Sequence, residues 1–186
     1  MYKQEIKIPE LNWQSYKDVP VTKISQAMWE RLLDSSSLTC YLEQRAQSRF
    51  NVEVINTGWF YVKPSEVQYL GIMPREKSWV REVFLRCDGH IAVYAWSVFP
   101  ESTLTGKYKG LQRLGGKSLG KILFNQPEVS RSEFEIAQIA EDHPLYQKIT
   151  RELPDKPKFL WARRSVFKLN NKPLLVNEVF LPIMFN

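Results

Sequence analysis

Three charged side chains fall where strand periodicity puts apolar ones. In Trp79-Val80-Arg81-Glu82-Val83-Phe84-Leu85, successive strand side chains point to opposite faces, so Arg81 shares a face with Trp79, Val83 and Leu85. The same parity in Leu174 to Phe180 puts Glu178 beside Leu174, Val176 and Phe180. In Phe159 to Leu169 it groups Arg163 with Trp161, Ser165 and Phe167, leaving Arg164 on the other face. A buried charge without a partner is costly, so each needs a counterpart. Two readings are open on the pattern alone. Arg81 and Glu178 pair with each other across the sheet, the commoner outcome for buried charges, or they stand at opposite ends of a closed pocket. Such a pocket suits a ring with a carboxylate on one edge and a hydroxyl on the other, since arginine grips carboxylates bidentately and glutamate accepts from a hydroxyl. Leu119-Gly120, after Ser118, opens a short helix whose N–H groups could meet the same carboxylate, although an ordinary capped helix with Leu119 in the core accounts for that segment as well.

The elements that must position these residues are legible from period and turn signals. Ile24, Ala27, Met28 and Leu32 repeat at helical spacing after Thr22, the expected cap, and Leu38, Tyr41, Leu42 and Ala46 mark a second helix ending near Arg49. Periodicity by itself assigns Leu38 to the core. From Asn51 the period becomes two, with Asn56-Thr57-Gly58 read as a turn before Trp59 to Val62. Asp88-Gly89 joins the runs Trp79 to Leu85 and Ile91 to Phe99 in a tight hairpin. Phe134 to Ile139, Phe159 to Leu169 and Leu174 to Leu181 complete the strands, the last two joined at Asn170-Asn171. Residues 1–20 read as an extended N-terminal arm and 141–158, with three prolines, as a surface insertion. Helices followed by strands in succession predict one α+β domain over 1–186 with a largely antiparallel sheet.

Composition narrows the function classes. A chain of 186 residues with 44% hydrophobic side chains holds one core. Met1-Tyr2-Lys3-Gln4-Glu5 lacks a signal peptide's apolar stretch, and Ile91 to Phe99 is far too short to span a bilayer, which predicts a cytoplasmic protein without stable membrane insertion. Cys40 and Cys87 form no metal or disulfide spacing. The net charge of +6 favours anionic partners, yet no basic run has the length of a nucleic-acid tail. Nucleic-acid binding through Trp59, Tyr61 and Trp96 therefore rests on basicity alone. Gly115-Gly116-Lys117-Ser118 ends like a phosphate loop, but position 111 is leucine where the motif needs glycine. With only His90 and His143 available, a histidine-activated nucleophile has little support.

Five segments, in order, resemble the chorismate pyruvate-lyase family: Trp79 to Leu85, Ser102-Thr103-Leu104-Thr105-Gly106, Leu119-Gly120-Lys121-Ile122-Leu123-Phe124, Trp161-Ala162-Arg163-Arg164-Ser165, and Pro173 to Pro182. The resemblance covers about residues 28 to 182. It implies a six-stranded antiparallel sheet with helices packed against it, helical flaps over an internal ligand site, and a monomer. It also implies conversion of chorismate to 4-hydroxybenzoate and pyruvate, the first committed step of ubiquinone biosynthesis, without metal or organic cofactor. By motif match Arg81 binds a carboxylate, Glu178 faces the ring hydroxyl, the Leu119 amide meets the ligand carboxylate, and Leu38 touches the ring. The chain departs from the family at Trp96, where members commonly carry arginine, and at Ala162, in place of glycine. The alternative within the same fold is a small-acid-binding sensor domain that leaves its ligand unchanged.

Overall fold

Asp88 and Gly89 have φ of 51° and 86°, and Asn170 and Asn171 of 48° and 64°. Two consecutive left-handed residues make the two-residue turn that matches strand twist. They join β3 (Lys77–Cys87) to β4 (His90–Pro100) and β7 (Phe159–Leu169) to β8 (Lys172–Phe180). The Asp88 carboxylate also accepts backbone N–H groups of Gln47, Ser48 and Arg49, which ties the chain entering the sheet to the first hairpin.

In the computed structural model, which describes residues 8–126 and 128–185, these hairpins belong to one antiparallel sheet ordered β1-β6-β7-β8-β4-β3-β2, with β5 also paired to β7. The remaining strands are β1 (Gln14–Ser15), β2 (Phe50–Tyr61), β5 (Val129–Arg131) and β6 (Glu135–Ala140). The sheet thus has eight strands rather than the expected six; β1 and β5 are two and three residues long, too short to display a period of two. Asn56-Thr57-Gly58 is not a turn. Strand β2 runs through it, pairing Asn56, Thr57 and Gly58 with Glu82, Arg81 and Val80 after a bulge between Val54 and Asn56. One extra residue absorbed as a bulge keeps the ladder intact, which outweighs the local turn preference.

Helices α1 (Gln26–Leu33), α2 (Leu38–Arg45) and α4 (Leu119–Phe124) each begin behind a serine, Ser25, Ser37 and Ser118, whose hydroxyl accepts the N–H three residues on. Each such cap contributes about 1 kcal/mol. The first cap is Ser25, not Thr22, which lies in a 3-10 turn. Helix α3 (Pro64–Leu70) was not expected, although Pro64, the capping Glu66 and left-handed Gly71 mark its ends. The segment 141–158, expected at the surface, contains α5 (Pro144–Thr150), whose Leu145, Tyr146 and Ile149 are buried; residues 151–158 are the surface part.

The two faces of the sheet carry separate cores. One packs Val83, Leu85, Ala95, Trp161 and Phe180 against Leu32, Leu38 and Leu42 of the helical hairpin. Beside it Leu119 and Leu123 of α4 meet Phe167 and Val176. The other face packs Phe84, Tyr94, Ala162 and Val179 against α5 and against Leu11 and Trp13 of the N-terminal arm. Residues 1–7 of that arm, with the opening pentapeptide, lie outside the described residues. No described helix is long and apolar enough to cross a membrane.

Candidate active site

On the face carrying α2 and α4, the strands and these helices line a cavity. Arg81, Leu119, Glu178 and Leu38, the four residues singled out in the sequence, all line it. Register brings them together. Arg81 pairs with Ser97 of β4, Ser97 with Val176 of β8, and Glu178 stands two residues further along that strand on the same face. Two strand spacings and one two-residue step separate the Arg81 and Glu178 Cα atoms by about 12 Å.

Arg81 and Glu178 do not neutralise each other. Arg81 is 3% exposed, and its guanidinium is held by backbone carbonyls. It donates from Nε and Nη2 to the Gly115 carbonyl at 3.3 and 2.8 Å, and from Nη2 to the Lys117 carbonyl at 3.0 Å. Gly115 has φ +51°, a backbone state that suits glycine and turns this loop back toward the arginine. Carbonyls facing a cation are the reverse of a phosphate cradle, which presents N–H groups. With no carboxylate in contact among the described residues, burial lowers the Arg81 pKa to about 10, still fully protonated at neutral pH.

Glu178 is held by arginines of its own. Its Oε2 accepts from Arg163 Nε at 2.6 Å and lies 3.8 Å from Arg131 Nη2. Arg163, 1% exposed, spends Nη1 on the carbonyls of Arg31, Leu32 and Asp34 at 3.3, 3.1 and 2.6 Å, closing the C-terminal end of α1. Its guanidinium also sits over the Phe134 and Phe180 rings. One side chain therefore anchors the helical hairpin and fixes one oxygen of Glu178. The Glu178 Oε1 atom has no hydrogen bond among the described residues, which leaves it available to a hydroxyl.

Two helix N-termini meet at the cavity. Ser36, Leu38 and Thr39 come from the start of α2, and Ser118, Leu119 and Gly120 from the start of α4. The first N–H groups of a helix have no intrahelical partner and carry partial positive charge. A Cβ on Gly120 would stand 3.0 Å from Thr39 Oγ1 and 3.4 Å from Ser37 Oγ, so glycine permits this approach. The arrangement can bind a carboxylate beside Arg81 and hold a hydroxyl at Glu178.

Arg131 was missed in the sequence. It lines the cavity from β5, whose three residues carry no readable alternation, and reaches its place by laying its guanidinium over Phe134 and Phe167. Arg163 was visible as a charge on an apolar face, but its role required the pairing Arg163↔Glu178 between β7 and β8. Trp96 and Ala162 both lie on the opposite face. Trp96 donates from Nε1 to Glu66 at 3.0 Å, and Ala162 packs beside α5.

Residues 8–186 match the family described as chorismate lyase. A protein of Nitrosomonas europaea named "Probable chorismate pyruvate-lyase" is 35% identical over 94% of this chain and 95% of its own length. Proteins of the same name from Methylobacillus flagellatus and Thiobacillus denitrificans are 37% and 40% identical, over 81% and 82% of this chain and 84% and 81% of their own. Among solved structures, PhnF of Mycobacterium smegmatis is similar with a TM-score of 0.61, covering 83% of this chain and 67% of that one. The effector domain of PhnF gives 0.59, with 80% and 90% covered. Both are 12% identical, a likeness of fold alone.

Proposed function

The chain belongs to the chorismate lyase family, and on that premise we propose that its cavity converts chorismate to 4-hydroxybenzoate and pyruvate. The observation that carries the site assignment is the polarity of the cavity. Among the described residues, a buried guanidinium without a carboxylate partner stands at one end, and a carboxylate with one oxygen unoccupied stands at the other. Chorismate has a ring carboxylate, a hydroxyl across the ring, and an enolpyruvyl ether next to that hydroxyl. Arg81 and the Leu119 amide bind the ring carboxylate, Leu38 packs on the ring, and Glu178 accepts from the hydroxyl.

In the reaction the bond between the ring carbon and the ether oxygen breaks. The hydroxyl-bearing ring carbon loses its proton, and the enolpyruvyl methylene gains one to become the methyl group of pyruvate. Electrons balance within the substrate, and aromatisation supplies the driving force. The protein need only hold the reactive conformer, assist the proton and exclude water. Glu178 orients the hydroxyl and relays the proton. In this reading α2 and α4 act as flaps that seal the ligand inside.

Adding chorismate to the purified protein and assaying pyruvate and 4-hydroxybenzoate together tests the proposal. Equimolar products are expected, with binding and turnover both lost in Arg81→Ala. Absence of both products with folded wild-type protein overturns it. The alternative in this fold, which the PhnF effector domain shares, is a sensor; chorismate that binds and persists unchanged would support it.

A further inference from the structure

We infer that Arg131 is the anchor for the second carboxylate of the substrate, the one on the departing enolpyruvyl group, and so sets specificity for the dianion over the monoanionic product. The inference rests on the site assignment above and extends it to a residue outside that assignment. Three guanidinium groups and one carboxylate line the cavity among the described residues: Arg81, Arg131, Arg163 and Glu178. That leaves two positive charges in a largely apolar enclosure, which a dianion matches and a monoanion does not.

The hydrogen bonds identify which two arginines are available. Arg163 spends Nε on Glu178 and Nη1 on three main-chain carbonyls, and its side chain is 1% exposed. Arg81 stands at the far end. Arg131 donates from Nε to Ser165 Oγ at 2.8 Å and from Nη1 to the Ser35 carbonyl at 3.3 Å. Its Nη2 approaches Glu178 only to 3.8 Å, an ion pair without a hydrogen bond. Phe134 and Phe167 lie 4.3 and 4.7 Å from the guanidinium carbon and fix its plane, so the group is ordered before any ligand arrives.

Substrate geometry then selects Arg131. With the ring carboxylate on Arg81 and the hydroxyl on Glu178, the ether oxygen is on the ring carbon next to the hydroxyl. Its carboxylate therefore lies at the Glu178 end, where Arg131, with 13% of its side chain exposed against 1% for Arg163, is the cation a ligand can reach. A cation there also stabilises the negative charge that builds on the enolpyruvyl group as its bond to the ring breaks. Once pyruvate leaves, nothing in 4-hydroxybenzoate replaces that carboxylate, which favours release of the two products in turn.

The test compares dianion with monoanion in one set of variants. In Arg131→Gln, kcat/KM for chorismate should fall about 10- to 100-fold, the range for a charge-assisted hydrogen bond. The dissociation constant of 4-hydroxybenzoate should change less than about threefold, well under the cost of one such bond. Arg131→Lys, which keeps the charge, should recover part of the loss. Arg81→Lys should weaken both ligands together. Parallel weakening of chorismate and 4-hydroxybenzoate in both Arg131 variants would make Arg131 a support for Glu178 and overturn the inference, as would no change in either. If Arg131→Gln does not fold, the same ratio in Arg131→Lys decides. Wild-type protein that makes no pyruvate would instead overturn the site assignment itself, and this inference with it.

Discussion

At the scale of single residues the site is built from charges whose neighbours differ sharply in how fully they satisfy them. Arg163 is tied through Nε and Nη1, and Glu178 is held through one oxygen only. Deleting one partner of such a buried pair typically costs about 3–5 kcal/mol, because the other charge is left uncompensated. Glu178→Ala therefore confuses unfolding with chemistry, and Glu178→Gln is the cleaner probe, since its amide oxygen still accepts from Arg163. A relay role for Glu178 predicts that kcat for pyruvate release falls about 10²- to 10⁴-fold in this variant while KM moves far less. A Glu178→Gln enzyme working at the parent rate would remove that role.

At the scale of elements the decisive contact is between the N-termini of α2 and α4. A Gly120→Ala side chain would meet Thr39 Oγ1 at 3.0 Å and push two helix starts apart at the cavity. In a helix this exchange stabilises the backbone by up to about 1 kcal/mol, so lost activity would not report unfolding. Displacement by a few tenths of an ångström should lower kcat/KM about tenfold, given that a 1 Å misplacement costs about 10²-fold. Thr39→Ala in the same chain should restore most of it, a coupling that separated sites do not display. Unchanged kcat/KM in Gly120→Ala would mean that the spacing of these helix starts does not matter.

Across the whole molecule, α5, on the face without the cavity, gives stability a pH dependence. His143 caps this helix, its Nδ1 accepting the Leu145 N–H at 3.1 Å, which requires an unprotonated ring nitrogen. Burial, assisted by nearby Lys63, lowers the His143 pKa below its ordinary 6.5. The unfolded chain therefore takes up the proton first as pH falls. The contribution is full above about 6.5 and is lost as pH drops through the lower folded value. Urea midpoints measured from pH 7.5 to 5 should fall in the wild type and fall less in His143→Asn, which caps without titrating in this range. Parallel curves would exclude the cap as the origin.

Much of this architecture could be read locally. Asp88-Gly89 and Asn170-Asn171 specify their turns because few residues tolerate positive φ, and the period of two put Arg81, Glu178 and Arg163 on apolar faces without knowledge of any partner strand. Motif order added Leu119 and Leu38 to the same cavity. Tertiary structure alone decided whom each charge meets. Glu178 joins Arg163 rather than Arg81 because β7 and β8 pair in that register, while β4 separates β3 from β8. Arg131 enters from a three-residue strand, the bulge in β2 erases a local turn signal, and α2 meets α4 from some 80 positions away in the chain. Backbone stereochemistry sets the direction of a side chain within its own strand. What lies in that direction is set by register and packing between segments remote in sequence, and that is where an anomalous pair of charges became the two ends of a cavity.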